Sequence, residues 1–105
     1  MSKEDFDRYC LDYYMEKNPG HHLVLEQDAD ELKAKGITAM LRDRYGDYHP
    51  VLVLVKTSCI DQAAVRRFAY ATRPLLERNN GSRLIVMMNR MDGTIRTLRF
   101  RGMNI

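Results

Sequence analysis

Lys56 is the residue of this chain best placed for chemistry. It closes an apolar run, Val51-Leu52-Val53-Leu54-Val55, and it is the lone lysine among the 12 cationic residues that follow Gly36, the other 11 being arginine. An amine at the end of such a strand has two readings: a cation presented to phosphate, or a side chain that reaches water because the strand ends there. The arginines broaden the first reading. Arg66, Arg67 and Arg73 lie with Tyr70 on the polar face of one helical segment, a combination suited to a phosphate backbone or a stacked base. A plain solvated helix face has the same composition. Arg96, Arg99 and Arg101, with Arg83 and Arg90, read as a basic sheet edge, which serves either binding or the prevention of edge-to-edge pairing.

Other reactive types carry less. His21, His22 and His49 follow no established metal-ligand spacing and fall in segments that read as turns, so no metal site is assigned to them. Cys10 and Cys59 are far apart and each has apolar neighbours, which predicts two buried free thiols in a reducing cytoplasm. Cys59 is expected in the first turn of a helix, where the dipole favours a thiolate, but no His or acid is placed to act with it.

The net charge of +3 hides an asymmetry. Residues 1–36 hold 5 Lys/Arg against 9 Asp/Glu, a net of −4, and residues 37–105 hold 12 against 5, a net of +7. An arginine-dominated half implies an anionic partner or a charged interface; a basic face balanced by the acidic first helix is the alternative. With 105 residues, 45% hydrophobic and 30% charged, the chain reads as one folded domain over 1–105. No apolar run approaches the roughly 20 residues that a bilayer requires, and MSKEDFDRY is too acidic for a signal peptide, so a cytoplasmic protein without a membrane partner is expected.

The elements that must position these residues follow from periodicity and caps. Ser2 and Asp5 open a first helix whose stripe is Phe6, Tyr9, Cys10, Tyr13 and Tyr14, and Asn18-Pro19-Gly20 stops it. His22 to Glu26 is a short strand, and a turn or two of helix, capped near Asp28, fits before Gly36. Gly36 to Arg44 and Val51 to Lys56 read as strands joined by a turn at Tyr45–Pro50; the unbroken apolar run of the second marks a strand covered on both faces. Ser58 and Asp61 cap a long helix with Ile60, Ala64, Val65, Phe68, Ala69, Thr72, Leu75 and Leu76 inward, and Pro74 bends or weakens its last turns. Leu84 to Met88 and Thr94 to Arg101 are the last strands, the latter at an edge. The fold class is therefore α/β (α+β): a single mixed sheet with two main helices, order α-β-β-β-α-β-β, with a parallel strand-helix-strand crossover. At this length three layers are not expected, and both long helices pack against one sheet.

Gly36-Ile37-Thr38-Ala39-Met40-Leu41, Leu52-Val53-Leu54-Val55-Lys56-Thr57-Ser58 and the helix after them resemble the restriction-endonuclease-like PD-(D/E)XK nucleases, including Holliday-junction resolvases and Mrr-type domains. The resemblance implies an α-β-β-β-α-β core with an Asp near the start of the second strand and a Glu/Asp-x-Lys at the end of the third. Here Thr38 and Leu54 occupy the acidic positions and only Lys56 matches. Such enzymes hold Mg²⁺ with carboxylate oxygens, which Thr and Leu cannot supply. The resemblance thus implies a degenerate, non-catalytic member without cofactor that binds DNA, RNA or another anionic partner through Lys56, Arg66, Arg67, Tyr70, Arg73, Arg96, Arg99 and Arg101. Mg²⁺ enters only if a relocated acid, Glu16, Glu26 or Asp28, restores a nuclease site. A structural homodimer built on the aromatics of the first helix and the Met-rich strand ends is the other reading.

Overall fold

In the computed structural model, which describes residues 2–24, 29–57 and 59–102, neighbouring residues of one strand belong to two different cores. The elements run α1 (Lys3–Lys17), β1 (His22–Leu23), α2 (Ala29–Ala34), β2 (Ala39–Arg42), β3 (Tyr48–Lys56), α3 (Gln62–Glu77), β4 (Arg83–Asn89) and β5 (Ile95–Phe100). Val51 and Val53 of β3 pack with Cys10, Leu11 and Tyr14 of α1. Leu52, between them, packs with Val65 and Phe68 of α3. The sheet is the middle of three layers, which corrects the two-layer expectation. The reason is already present in β3: a strand apolar on both faces needs a cover on each, and two helices suffice only if they take opposite sides. Phe68 is fully buried on one side and Leu84 on the other, each contributing about 1.5–3 kcal/mol relative to exposure.

The strands lie in the order β1-β2-β3-β4-β5. β3 and β4 are parallel, in register from Val51 opposite Leu84 to Lys56 opposite Asn89; the remaining neighbours are antiparallel. α3 is the crossover between the parallel pair, as expected of a strand-helix-strand unit.

Several boundaries move. β2 is shorter than Gly36 to Arg44, and β3 starts earlier, at Tyr48, so His49 and Pro50 are strand rather than turn. Pro50 is tolerated because even-numbered residues of β3 turn their backbone groups toward β4, and β4 pairs only from Val51 onward. Where β4 is missing, Asn79 takes its place: its side chain accepts from Tyr48 N–H at 2.9 Å and donates to Tyr48 C=O at 2.7 Å. The α1 stripe is also rotated. Cys10, Leu11 and Tyr14 are buried while Tyr9 is 51% exposed and Tyr13 faces out; tyrosines with polar tips do not discriminate between two overlapping helix faces. Ser2 does cap α1, accepting from Asp5 N–H at 3.1 Å, and Asp61 caps α3, accepting from Ala64 N–H at 3.1 Å. α3 continues through Pro74 to Glu77. Cys59 is exposed, in the connection before α3 rather than in its first turn, so only Cys10 is the expected buried thiol. Burial, and then Asp7, pushes the Cys10 thiol up to about 11, so it stays protonated. Glu26, Asp28 and Ser58 fall outside the described residues.

Candidate anion-binding cleft

β3 outruns its neighbour. β2 pairs only with Tyr48 to Val51, so from Leu52 to Lys56 the ladder continues with β4 on one edge alone. Thr38 repairs the first step on the other edge: its N–H donates to Val51 C=O at 2.8 Å, and its hydroxyl accepts from Val53 N–H at 3.0 Å. A hydroxyl there does a backbone's work, which gives Thr38 a structural reason at the position where the resemblance implies a metal ligand. Beyond it no further backbone bond forms on that edge among the described residues, and Val55, partly exposed, is left bare.

Three helices face this bare edge. A cavity of about 510 Å³ is lined by Lys3 and Asp7 of α1, Lys33 of α2, Arg67 of α3, and Thr38 and Leu54 of the sheet. A second, of about 330 Å³, opens beside it and shares Asp7, Lys33 and Thr38. Gly36 makes the Arg67 wall possible. Its φ is +80°, and a Cβ there would meet Arg67 Cδ at 3.2 Å, so the arginine stem crosses over bare backbone. The Arg67 guanidinium donates to Ala34 C=O, tying α3 to α2. Three cations thus stand against one carboxylate in the larger cavity. Burial pushes the Asp7 carboxyl up, while Lys3 and Lys33 pull it down. Lys33 also meets Glu4 at 3.5 Å, both exposed, a pair worth little.

Asp7 was not among the acids that the sequence put forward. The signal was Leu11: once it is counted as inward, Asp7 stands one turn before it on the same face. Glu16 is exposed at the far end of α1 and lines neither cavity.

The arginines divide. Arg66 and Arg73 are exposed with Tyr70, itself 64% exposed, on the outer face of α3 beside Arg67, and Arg73 reaches Glu77 at 3.5 Å. This band continues the cleft. The basic sheet edge does not form as a unit, because side chains alternate across a strand. Arg99 faces α1 and donates to Tyr14 Oη at 2.9 Å. Arg101 folds back onto the end of α3, donating to Leu76 C=O at 3.1 Å and Asn79 C=O at 3.2 Å, and so satisfies carbonyls that a helix end leaves open. Arg83 is 1% exposed, within the core. Arg96 lines a third cavity, of about 200 Å³, together with Lys56. Lys56 lines this third cavity, whereas Thr38 and Leu54 line the cleft.

His21 and His49 do meet, ring centroids 5.1 Å apart, while His22 is exposed on β1. Their nitrogens are engaged in holding the fold. Ser82 N–H donates to His49 Nδ1 at 3.0 Å, so Nε2 carries the proton toward Asp43 at 2.8 Å, and His21 Nδ1 faces Asn18 C=O at 3.2 Å. Among the described residues no three His, Cys, Asp or Glu side chains are grouped to hold a metal. The His49 hydrogen bond, with the N–H groups of Asp47 and Tyr45, holds the Asp43 carboxyl down to about 2 from 3.8. That carboxylate is partly buried beside His49, and solvent still screens the pair in part. A depressed carboxyl stabilises the fold above its unfolded value, and the contribution is lost as pH falls from about 4 through about 2. Up to about 2 kcal/mol is at stake. Asp7 works in the opposite sense, so the readout is a difference: Asp43→Asn is expected to flatten the fall in urea midpoint between pH 4 and pH 2. An unchanged pH profile in that variant would contradict the assignment.

Comparison with protein-family models, curated proteins and solved structures finds no match. Among the described residues no helix is long and apolar enough to cross a membrane. What the fold and cleft define is a three-layer α/β domain with a cationic groove along a bared strand edge.

Proposed function

We propose that this protein is a non-catalytic, nuclease-like domain that binds nucleic acid along the cleft and the adjoining outer face of α3. One observation carries the reading: Lys3, Lys33 and Arg67 converge from three helices on the strand edge where the resemblance would put metal-binding acids, and Thr38 and Leu54 stand there instead. The observed order, with α2 added to the implied α-β-β-β-α-β core, supports the same reading. Arg66, Tyr70 and Arg73 extend the cationic band with an exposed ring, and Val55 N–H points along the bare edge as a further donor to phosphate. Of the sheet's other arginines, Arg99 and Arg101 hold elements together, so they contribute charge more than contact.

The test is titration of duplex and single-stranded DNA and RNA at several salt concentrations. Each phosphate neutralised contributes about 0.9 to the slope of log affinity against log salt for a duplex. Replacing Lys3, Lys33 and Arg67 together by Gln is expected to flatten that slope by about 2–3 units while the fold is kept. Absence of salt-sensitive binding by the natural chain, even at low salt, overturns the reading. Cleavage in Mg²⁺ or Mn²⁺ that Asp7→Asn abolishes would instead make this an active nuclease with a relocated acid.

A further inference from the structure

The third cavity shares no lining residue with the cleft, although Val55 of the cleft directly precedes Lys56. It sits at the carboxyl ends of β3 and β4, the parallel pair, and is walled by the turn into β5. Carboxyl ends of parallel strands joined by a helix are where such sheets leave a crevice for ligands. Its lining is Lys56, Met87, Asn89, Asp92, Thr94 and Arg96. Lys56 is half-buried, and its amine makes no hydrogen bond or ion pair among the described residues. Asn89 Oδ1 is occupied by Met91 N–H at 2.8 Å, which leaves its NH₂ as a donor. Asp92 is anchored through one oxygen only: Thr94 N–H and Oγ1–H reach Oδ1 at 2.9 and 2.7 Å. These two bonds hold the carboxyl below its ordinary range, so it stays charged, and its second oxygen is open.

Two cations, an amide donor and one fixed carboxylate make a divided site. The cations suit an anion of charge −2, while Asp92 repels a bare anion and accepts from a hydroxyl beside it. We propose that this cavity binds a phosphate monoester carried on a sugar, with Lys56 and Arg96 on the phosphate and Asp92 on a sugar hydroxyl. The chemistry is common to a free nucleotide or sugar phosphate and to the phosphorylated end of a nucleic-acid strand.

The experiment follows backbone amide signals of the full ¹⁵N-labelled chain during titration with adenosine 5′-monophosphate, ribose 5-phosphate and inorganic phosphate. Saturable shifts are expected at Lys56 and from Asn89 to Arg96, with both esters binding more tightly than inorganic phosphate. Lys56→Gln and Arg96→Gln are each expected to weaken ester binding about tenfold, since each removes a charge-assisted hydrogen bond. Asp92→Asn is expected to tighten inorganic phosphate and shrink the preference for esters. A 5′-phosphorylated oligonucleotide shifting these signals more than its 5′-hydroxyl twin would support the site and assign a strand end as the source. Equal effects of the twins, with the mononucleotide still bound, would support it with a free ester as the source. The proposal is overturned by absence of saturable shifts with either ester, by ester binding that survives Lys56→Gln, or by shifts confined to Lys33, Gly36 and Thr38. These outcomes are independent of the polymer titrations, so either reading can fail alone.

Discussion

Gly81→Ala is expected to cost about 4 kcal/mol or more, enough to unfold much of a domain whose total stability is of the order of 5–15 kcal/mol. A Cβ at Gly81 would fall on the Tyr48 carbonyl oxygen and within 2.7 Å of its carbon and of Asn79 Nδ2. The obstacle is backbone, so no rotamer relieves it. Nor can the loop retreat. Asn79 grips both backbone groups of Tyr48, Ser82 N–H is bound to His49, Asn80 N–H reaches Asp47 at 3.3 Å, and Arg101 donates to Gly81 C=O. Any shift that accommodates a methyl group must break several of these at once. Urea unfolding followed by circular dichroism measures the loss. A change below about 1 kcal/mol, within the range of ordinary surface substitutions, would mean that the loop and β3 are not held this closely.

Arg83→Ala is expected to rank close behind, at about 3–5 kcal/mol. The guanidinium lies under α3, with Nε donating to Thr72 Oγ1 at 2.7 Å, Nη2 to Ala69 C=O at 3.0 Å and Nη1 to Arg101 C=O. It also lies 5.4 Å from the centre of the Phe100 ring. Burial, then Arg101, lowers its pKa, yet an arginine keeps its proton regardless. Truncation removes three hydrogen bonds from a charged donor, to Thr72, Ala69 and Arg101, and adds the cavity left by the stem. Arg83→Lys retains the charge and loses the fork, so it should recover only part of the stability. If lysine restored all of it, charge rather than directed hydrogen bonding would be what the core requires. If the proposed function holds, neither variant should change the salt-dependent affinity of the folded fraction, because Arg83 is buried.

These two positions mark the boundary between what was readable in the chain and what was not. Local chemistry was readable. Ser2 and Asp61 as caps, the inward face of α3, the apolar β3 and β4 and their parallel crossover all follow from contacts within one or two turns, or from side chains alternating along one strand. The three layers were legible too in principle, since β3 is apolar at consecutive positions, although chain length argued the other way. Arg83 and Arg101, by contrast, look like surface charges in an alternating strand. Only the packing of α3 over β4 and β5 buries one and turns the other onto helix carbonyls.

The cleft was the least legible feature, because the chain's acidic portion supplies two of its three cations. Lys3 and Lys33 sit among carboxylates in the sequence, and segment-wise charge counts assign them to an anionic face. By itself the sequence determined which main elements form and which face α3 buries, since those depend on near neighbours and on periodicity, while packing chose between the two overlapping faces of α1. The tertiary structure alone decided where β2 ends relative to β3. It thereby decided that Lys3, Lys33 and Arg67 line one cleft and that Lys56 lines another cavity with Arg96. Charges from distant segments act together only once the strands have fixed how far apart they stand.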